Sequence, residues 1–186
     1  RLNVFAAVDF AFSLGKRADY TAIVVVGIDA ENNVYVLDID RFRTDRISEY
    51  FEHILHLSNK WSFRKLRAET TVAQMAIVKQ LKELIKQHGL AISIDEFRPN
   101  KSQGNKQERI SAVLEPRYDN MSIWHYRGGN TQILEEELSS RNPPHDDVID
   151  ALASVVDMAV KPARSVRRQK DNVVQFHSKF GGVSFG

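Results

Sequence analysis

The 186-residue sequence contains no cysteine, so disulfide bonds and cysteine-ligated zinc sites are excluded. It has no apolar run near the roughly 18 to 20 residues that a membrane-spanning helix needs, and no signal peptide is recognisable. A GxxxxGK[ST] phosphate-binding loop is also missing, so we expect no ATPase activity in this chain. We therefore expect no membrane partner, and the lack of cysteine is compatible with a reducing compartment.

Apolar residues make up 42% of the chain and charged residues 27%, with a formal net charge of +2. This balance is typical of an ordered globular protein, and the length fits one domain. We predict that residues 1–160 form this domain. Residues 161–186 read as a basic, Gly/Ser-containing tail that either contacts nucleic acid or is simply solvated. Because the first residue is Arg1, we interpret the chain as a fragment of a longer protein.

The spacing of apolar residues predicts a mixed α/β fold. Apolar runs at residues 3–12, 20–28 and 34–39 are separated by short polar turns, which predicts an antiparallel three-strand meander. We expect Asp38 and Asp40 to face solvent on an edge strand there. Helical periodicity at 44–60 and 72–88 alternates with short strands at 63–68 and 90–97, which predicts parallel strands joined by a helical crossover.

Acidic residues occur at three structurally marked places. Asp9 interrupts the first apolar strand, and Glu69 ends the fourth. Three more, Asp146, Asp147 and Asp150, open the last helix, predicted at 145–160, on the side opposite its apolar stripe. Each acid also has a purely structural explanation: Asp9 turned to water, Glu69 facing the next helix dipole, or an aspartate capping a helix. Three aspartates in five residues nevertheless repel one another unless a cation lies among them.

The strand order brings these acids into one possible site. If the fourth strand lies beside the first, Asp9 and Glu69 become neighbours, and the last helix can present Asp147 to them. Carboxylates without histidine or cysteine suit hard cations such as Mg²⁺ or Mn²⁺. Two such ions can activate a water and stabilise the leaving oxygen of a phosphodiester.

Basic residues gather just before and within the helix that follows the second crossover. The loop and helix start contain Lys101, Lys106 and Arg109, with Gly104 and Asn105 giving backbone freedom. Basic side chains and exposed amides are what phosphate contacts use. A solvated charged loop has the same composition, so both readings stay open from the residues alone.

The segments VDFAF, RAETT and HDDVIDALA, in this order on this strand pattern, resemble the ribonuclease H-like nuclease superfamily. The opening VDFAFSLGKRADYTA and the segment KSQGNKQERI are similar to landmarks of one member family, the nuclease domains of the large terminase subunits of tailed bacteriophages. The resemblance spans residues 4–160. It implies a ribonuclease H-like mixed sheet, with the meander and parallel strands flanked by helices.

The resemblance further implies a metal-dependent endonuclease that cuts concatemeric viral DNA during genome packaging with two Mg²⁺ or Mn²⁺ ions. The catalytic and metal-binding residues it implies are Asp9, Glu69 and Asp147, with Asp150 as a further ligand, Asp146 as a substitute for Asp147, and Asp19 in a supporting role. The DNA-binding residues it implies are Lys101, Lys106 and Arg109.

The implied partners are double-stranded DNA, the portal protein, the small terminase subunit and an ATPase domain of the same parent chain. The implied location is the host cytoplasm, in a packaging motor that is not part of the mature virion. Three alternatives remain open at this stage: a resolvase-type ribonuclease H-like nuclease, a non-catalytic nucleic-acid-binding or protein-binding module, and a metal-free packing domain.

Overall fold

The computed structural model describes residues 1–11, 20–71, 74–98, 105–140 and 143–163. The strands are β1 (Asn3–Asp9), β2 (Thr21–Ile28), β3 (Val34–Phe42), β4 (Lys65–Glu69), β5 (Ser93–Phe97) and β6 (Ile123–His125). The helices are α1 (Ile47–Trp61), α2 (Met75–Gln87), α3 (Lys106–Asp119), α4 (Thr131–Ser139) and α5 (Asp147–Met158). In these ranges no helix has the length and apolar character to cross a bilayer.

The strands form one six-stranded mixed sheet in the order β5-β4-β1-β2-β3-β6. Strands β1, β2 and β3 are antiparallel neighbours. Strands β4 and β5 continue the sheet parallel to β1, and β6 lies parallel to β3. The predicted meander, the parallel strands and the placement of the fourth strand beside the first are therefore confirmed.

Helices cover both faces of the sheet, and this accounts for the apolar sequence of β2. All eight of its residues are buried. Ile23 and Val25 pack in the core formed with α1 and α2, whereas Val24 and Val26 pack in the core formed with α3, α4 and α5. A strand buried on both faces has no solvent side, so its sequence does not alternate with polar residues.

The expectation that Asp38 and Asp40 face solvent on an edge strand is wrong. Strand β6 pairs with the first part of β3, at Val34–Val36, so β3 is not an edge strand along its whole length. The Asp38 carboxylate accepts hydrogen bonds from Lys60 Nζ and Trp61 Nε1, both at 2.7 Å. Asp40 lies 2.6 Å from His53 Nδ1. Both aspartates thus attach β3 to α1.

Helix α3, which carries part of the site, begins with a capping box. The Asn105 side chain accepts a hydrogen bond from the Glu108 amide, and the Glu108 carboxylate accepts one from the Asn105 amide, each at 2.9 Å. These bonds satisfy backbone donors that a helix start leaves without an intrahelical partner. The first turn of α3 is therefore held in place where Lys106 and Arg109 emerge.

Candidate metal and active site

Asp9 and Glu69 end two adjacent parallel strands at the same edge of the sheet. The register between β1 and β4 pairs Val8 with Ala68, so Asp9 and Glu69 come next on each strand. The segments after the strands are also joined. Gln74 donates a buried hydrogen bond of 3.1 Å to the carbonyl of Phe10 and accepts one of 2.8 Å from the Thr71 amide. This bridge holds the two strand ends together.

Helix α5 brings two more carboxylates to this edge. It packs against β1 and β2 on one side and against α3 and α4 elsewhere. Asp147 and Asp150, in its first turn, are only 7% and 8% exposed. Asp146 occupies the N-cap position without a side-chain capping bond. The predicted apolar stripe is present, but α5 is covered on more sides than a surface helix, so its first-turn aspartates are buried.

The charges of these carboxylates act on one another. Burial raises the pKa of Asp9 to about 8, and the negative charges of Asp150, Asp147 and Glu69 reinforce the shift, which Lys106 opposes. The pKa of Glu69 is raised by burial and by Asp150, against the lowering effect of Arg109. An acid that is hard to ionise among other acids lacks enough positive charge nearby.

Three basic side chains supply part of that charge. Lys106 Nζ lies 2.8 Å from Asp150 Oδ2 and 3.2 Å from Asp146 Oδ1. Arg109 approaches Glu69 Oε1 at 3.3 Å, and Arg41 approaches Asp147 Oδ2 at 3.4 Å. Burial also raises the pKa of Asp147, and the Arg41 guanidinium opposes that rise.

The donor set fits a hard divalent cation, because it consists of carboxylate oxygens. Asp9 carries the clearest sign of missing positive charge, since its ionised form remains disfavoured even with Lys106 close by. Among the described residues, no three acidic or histidine side chains already surround one point as ligands. Their oxygens instead face Lys106, Arg109 and Arg41, so metal binding requires these contacts to rearrange.

The structure therefore brings together Asp9, Glu69, Asp147 and Asp150, with Asp146 at the margin of the cluster. Lys106 and Arg109 lie against these acids; their predicted contact with DNA stays a prediction. Asp19 and Lys101 lie outside the described residues, as does most of the predicted tail.

Sequence reasoning missed Arg41 and Glu137. Glu137, in α4, is 5% exposed, and its carboxylate accepts a hydrogen bond of 2.8 Å from the Ile149 amide in the first turn of α5. It thus replaces the side-chain cap that Asp146 does not provide. The only sequence signal for Arg41 was its position two residues after buried Ile39, which places it on the same face of β3.

The domain has a mixed sheet with this strand order, acids at the ends of β1 and β4, and further acids at the start of α5. These features define a ribonuclease H-like nuclease domain. The profile of the family described as Terminase Bacteriophage T7, Ribonuclease H-like domain matches residues 10–123. The chain belongs to this family of terminase domains. The matched region includes Glu69, Lys106 and Arg109 and begins one residue after Asp9.

Solved structures share the fold at low sequence identity. The large terminase nuclease from thermophilic phage G20c has a TM-score of 0.63 at 18% identity, covering 86% of this chain and 83% of that one. The nuclease domain of the large terminase subunit gp2 of bacterial virus Sf6 has a TM-score of 0.56 at 14% identity, with coverages of 87% and 89%.

A Holliday junction resolvase is also similar in fold. The fowlpox virus enzyme has a TM-score of 0.51 at 12% identity, with coverages of 81% of this chain and 93% of that one. No curated protein matches the chain in sequence. At these identities the solved structures establish the fold, and the family assignment rests on the profile match.

Proposed function

We propose that the domain is a divalent-metal-dependent endodeoxyribonuclease that cuts concatemeric viral DNA during genome packaging. The observation that carries the proposal is the convergence of four carboxylates, from β1, β4 and α5, at one sheet edge of a terminase-family domain. Family membership supports the packaging role, and the carboxylate oxygens that these four residues offer support a hard cation.

In this proposal Asp9, Glu69 and Asp147 hold Mg²⁺ or Mn²⁺, with Asp150 as a further ligand and Asp146 as the substitute for Asp147. The Sf6 terminase nuclease domain is described with manganese, which supports this choice of metal. Metal held by these residues would supply activation of a water and charge stabilisation for the leaving oxygen of the phosphodiester. Asp9 interacts electrostatically with Glu69, Asp147 and Asp150, so it would hold metal together with the acids of both β4 and α5.

In this proposal, basic residues beside the carboxylates hold the DNA substrate. Lys106 and Arg109 start α3 beside the carboxylates, where their charges attract the DNA backbone. The proposed partners beyond double-stranded DNA are the portal protein, the small terminase subunit and an ATPase domain of the same parent chain. The proposed location is the host cytoplasm. Family membership is the support for these assignments.

The test is nicking and linearisation of supercoiled plasmid in Mn²⁺, Mg²⁺ or chelator. It compares the wild-type chain with Asp9→Asn and Asp147→Asn. The control is Asp119→Asn, because Asp119 is exposed at the last residue of α3, about 20 Å along the helix axis from Lys106. We expect metal-dependent cutting by the wild type and the control, and a loss of at least about 100-fold in the two site variants.

Equal cutting by all four proteins would identify a contaminating nuclease and refute the site assignment. If no protein cuts, calorimetric titration with Mn²⁺ distinguishes an inactive nuclease from a non-catalytic binding module. A binding module without a metal site shows no Mn²⁺ binding that depends on Asp9. A four-way junction is run beside linear duplex. Strong preference for the junction would support the resolvase alternative and refute a packaging endonuclease.

A further inference from the structure

The pairing of the strands places a residue of β3 in the same cross-strand row as Asp9. Ala22 pairs with Asp9 on one side and with Arg41 on the other. Side chains in one such row project from the same face of a sheet, and two strand spacings separate Asp9 from Arg41 by about 10 Å at the backbone. Arg43 follows two residues later, where alternation returns the chain to that face. A basic pair therefore borders the carboxylates opposite Lys106 and Arg109.

Tyr20 organises this pair. The guanidinium carbons of Arg41 and Arg43 lie 3.7 and 3.8 Å from the centre of the Tyr20 ring. Two planar groups so near one ring centre overlap if they share a face, so they lie on opposite faces. His145, just before α5, meets the edge of the same ring at 5.2 Å and 90°. The ring is thus enclosed by Arg41, Arg43 and His145.

The two cations hold different positions in this stack. Arg41 is largely buried, with 12% of its side chain exposed, and pairs with Asp147. Arg43 is exposed. The two guanidinium carbons are no more than about 7.5 Å apart, so the two positive charges repel each other. An anion bound near Arg43 would reduce this repulsion. A guanidinium stacked on an aromatic ring keeps its N–H donors in the ring-parallel plane, where they remain available to a phosphate.

We propose that Tyr20 and Arg43 form a DNA-backbone contact at the Asp147 side of the active site. Arg43 donates to a phosphate near the cleaved bond. Tyr20 fixes the guanidinium in place, and Arg41 covers the other face of the Tyr20 ring. Because guanidinium groups cover both faces of Tyr20, the ring offers no stacking surface to a base, which favours a phosphate over a base as the ligand. This inference rests on the proposed function, since it names a contact to the same DNA substrate.

The experiment measures binding of the chain to a labelled linear duplex in chelator, without cleavage, over a series of salt concentrations. We expect Arg43→Gln to bind about three- to tenfold more weakly and to reduce the slope of log affinity against log salt by about one, as the loss of one phosphate contact does. The matched control is Arg64→Gln, because Arg64 is exposed and precedes β4, at the end of that strand opposite Glu69.

Two substitutions at Tyr20 separate stacking from a general structural effect. Tyr20→Phe keeps the ring and should bind as the wild type does. Tyr20→Leu removes the ring and should reproduce the weaker binding and smaller salt slope of Arg43→Gln. A salt slope for Arg43→Gln equal to that of Arg64→Gln would overturn the proposal, and so would absence of duplex binding by the wild type at low salt.

The same proteins tested on plasmid distinguish failure of this contact from failure of the proposed function. If the wild type cuts DNA and Arg43→Gln keeps its salt slope, only the contact is refuted. If Arg43→Gln and Tyr20→Leu lose binding as expected but the wild type neither cuts nor takes up Mn²⁺, the contact stands in a DNA-binding module and the nuclease proposal fails.

Discussion

Replacing Asp9 by Asn should stabilise the metal-free domain while abolishing its activity. In the unfolded chain Asp9 has its ordinary pKa of 3.8, and burial among other acids raises this to about 8 in the folded state. The folded state therefore binds the proton more tightly. Its stabilising effect is complete below pH 3.8 and is lost as pH rises towards 8.

The size of the effect at pH 7 follows from these two values. Between pH 3.8 and 7 each pH unit costs the folded state about 1.4 kcal/mol relative to the unfolded state, which gives an upper limit of about 4 kcal/mol. Asp9 is only partly buried, so solvent screening reduces the cost, and we expect about 2 kcal/mol. Asparagine matches the shape of the protonated acid and does not ionise, so Asp9→Asn avoids this cost.

The assay is thermal and urea unfolding in chelator at pH 4 and pH 7. At pH 7 Asp9→Asn should melt about 4 to 8 °C above the wild type, since about 1 kcal/mol shifts the midpoint of a domain this size by 2 to 4 °C. At pH 4 the difference should nearly vanish. Saturating Mn²⁺ should reverse the order at pH 7, because only the wild type gains stability from binding.

Asp119→Asn serves again as the control and should follow the wild type at both pH values. Equal stability of Asp9→Asn and the wild type at pH 7, or an equal gain at pH 4 and pH 7, would refute the reasoning. The first result would mean that Asp9 ionises freely in the folded state. The second would mean that the gain comes from packing rather than from charge.

Changes at three further residues test the surroundings of the site by urea unfolding. At Glu137, whose pKa burial raises to about 7, the Gln variant keeps an acceptor for the Ile149 amide. It should gain stability over the wild type as pH rises from 4.5 towards 7, whereas Glu137→Leu should lose about 1 to 2 kcal/mol of helix capping at low pH. Asn105→Ala removes the capping box of α3 and should cost about 1 kcal/mol; no change would mean that tertiary contacts alone hold this turn. Leu152→Ala empties a fully buried position in α5 and should cost about 3 to 5 kcal/mol, whereas a cost below about 1 kcal/mol would contradict the close packing of α5 on the sheet.

The positions of Asp9 and Glu69 could be predicted because each depends on local sequence plus one topological rule. A strand can be recognised by its apolar residues, and an acid at its end lies at the sheet edge wherever that strand pairs. The helical crossover predicts only that β4 and β5 run parallel, so the pairing of β4 with β1 remained a condition of the predicted site. The structure meets that condition.

That β3 pairs with a further strand could not be predicted from the sequence. Its partner β6 lies about 80 residues later in sequence and is only three residues long. The sequence of so short a strand does not show which strand it pairs with, so β3 was predicted to be an edge strand with Asp38 and Asp40 facing solvent. Arg41 was missed for a related reason, since its role depends on Asp147, 106 residues away.

Basic composition indicated the charge of a partner without indicating which partner. Lys106 and Arg109 were predicted to meet phosphates, and in the structure they meet carboxylates of the same domain. The capping box at Asn105 and Glu108 has a local sequence signature, although Asn105 was interpreted only as giving backbone freedom, whereas the tertiary cap that Glu137 gives to α5 has no such signature. Its acceptor and donor belong to different helices, and no spacing rule connects them.

The contacts of the site's cations suggest a test of whether metal binding and DNA binding are coupled in the proposed nuclease. Lys106, Arg109 and Arg41 come from two different elements, and each now lies within 3.4 Å of an acid that the proposed metals would need. If the proposed metal binds among these acids, we expect it to take over their neutralisation and to leave the same cations available to phosphates. Metal should then strengthen DNA binding, and linkage would require DNA to strengthen metal binding by the same factor. Titrating the duplex in the presence and absence of Mn²⁺ would test this coupling, and equal affinities in the two conditions would refute it.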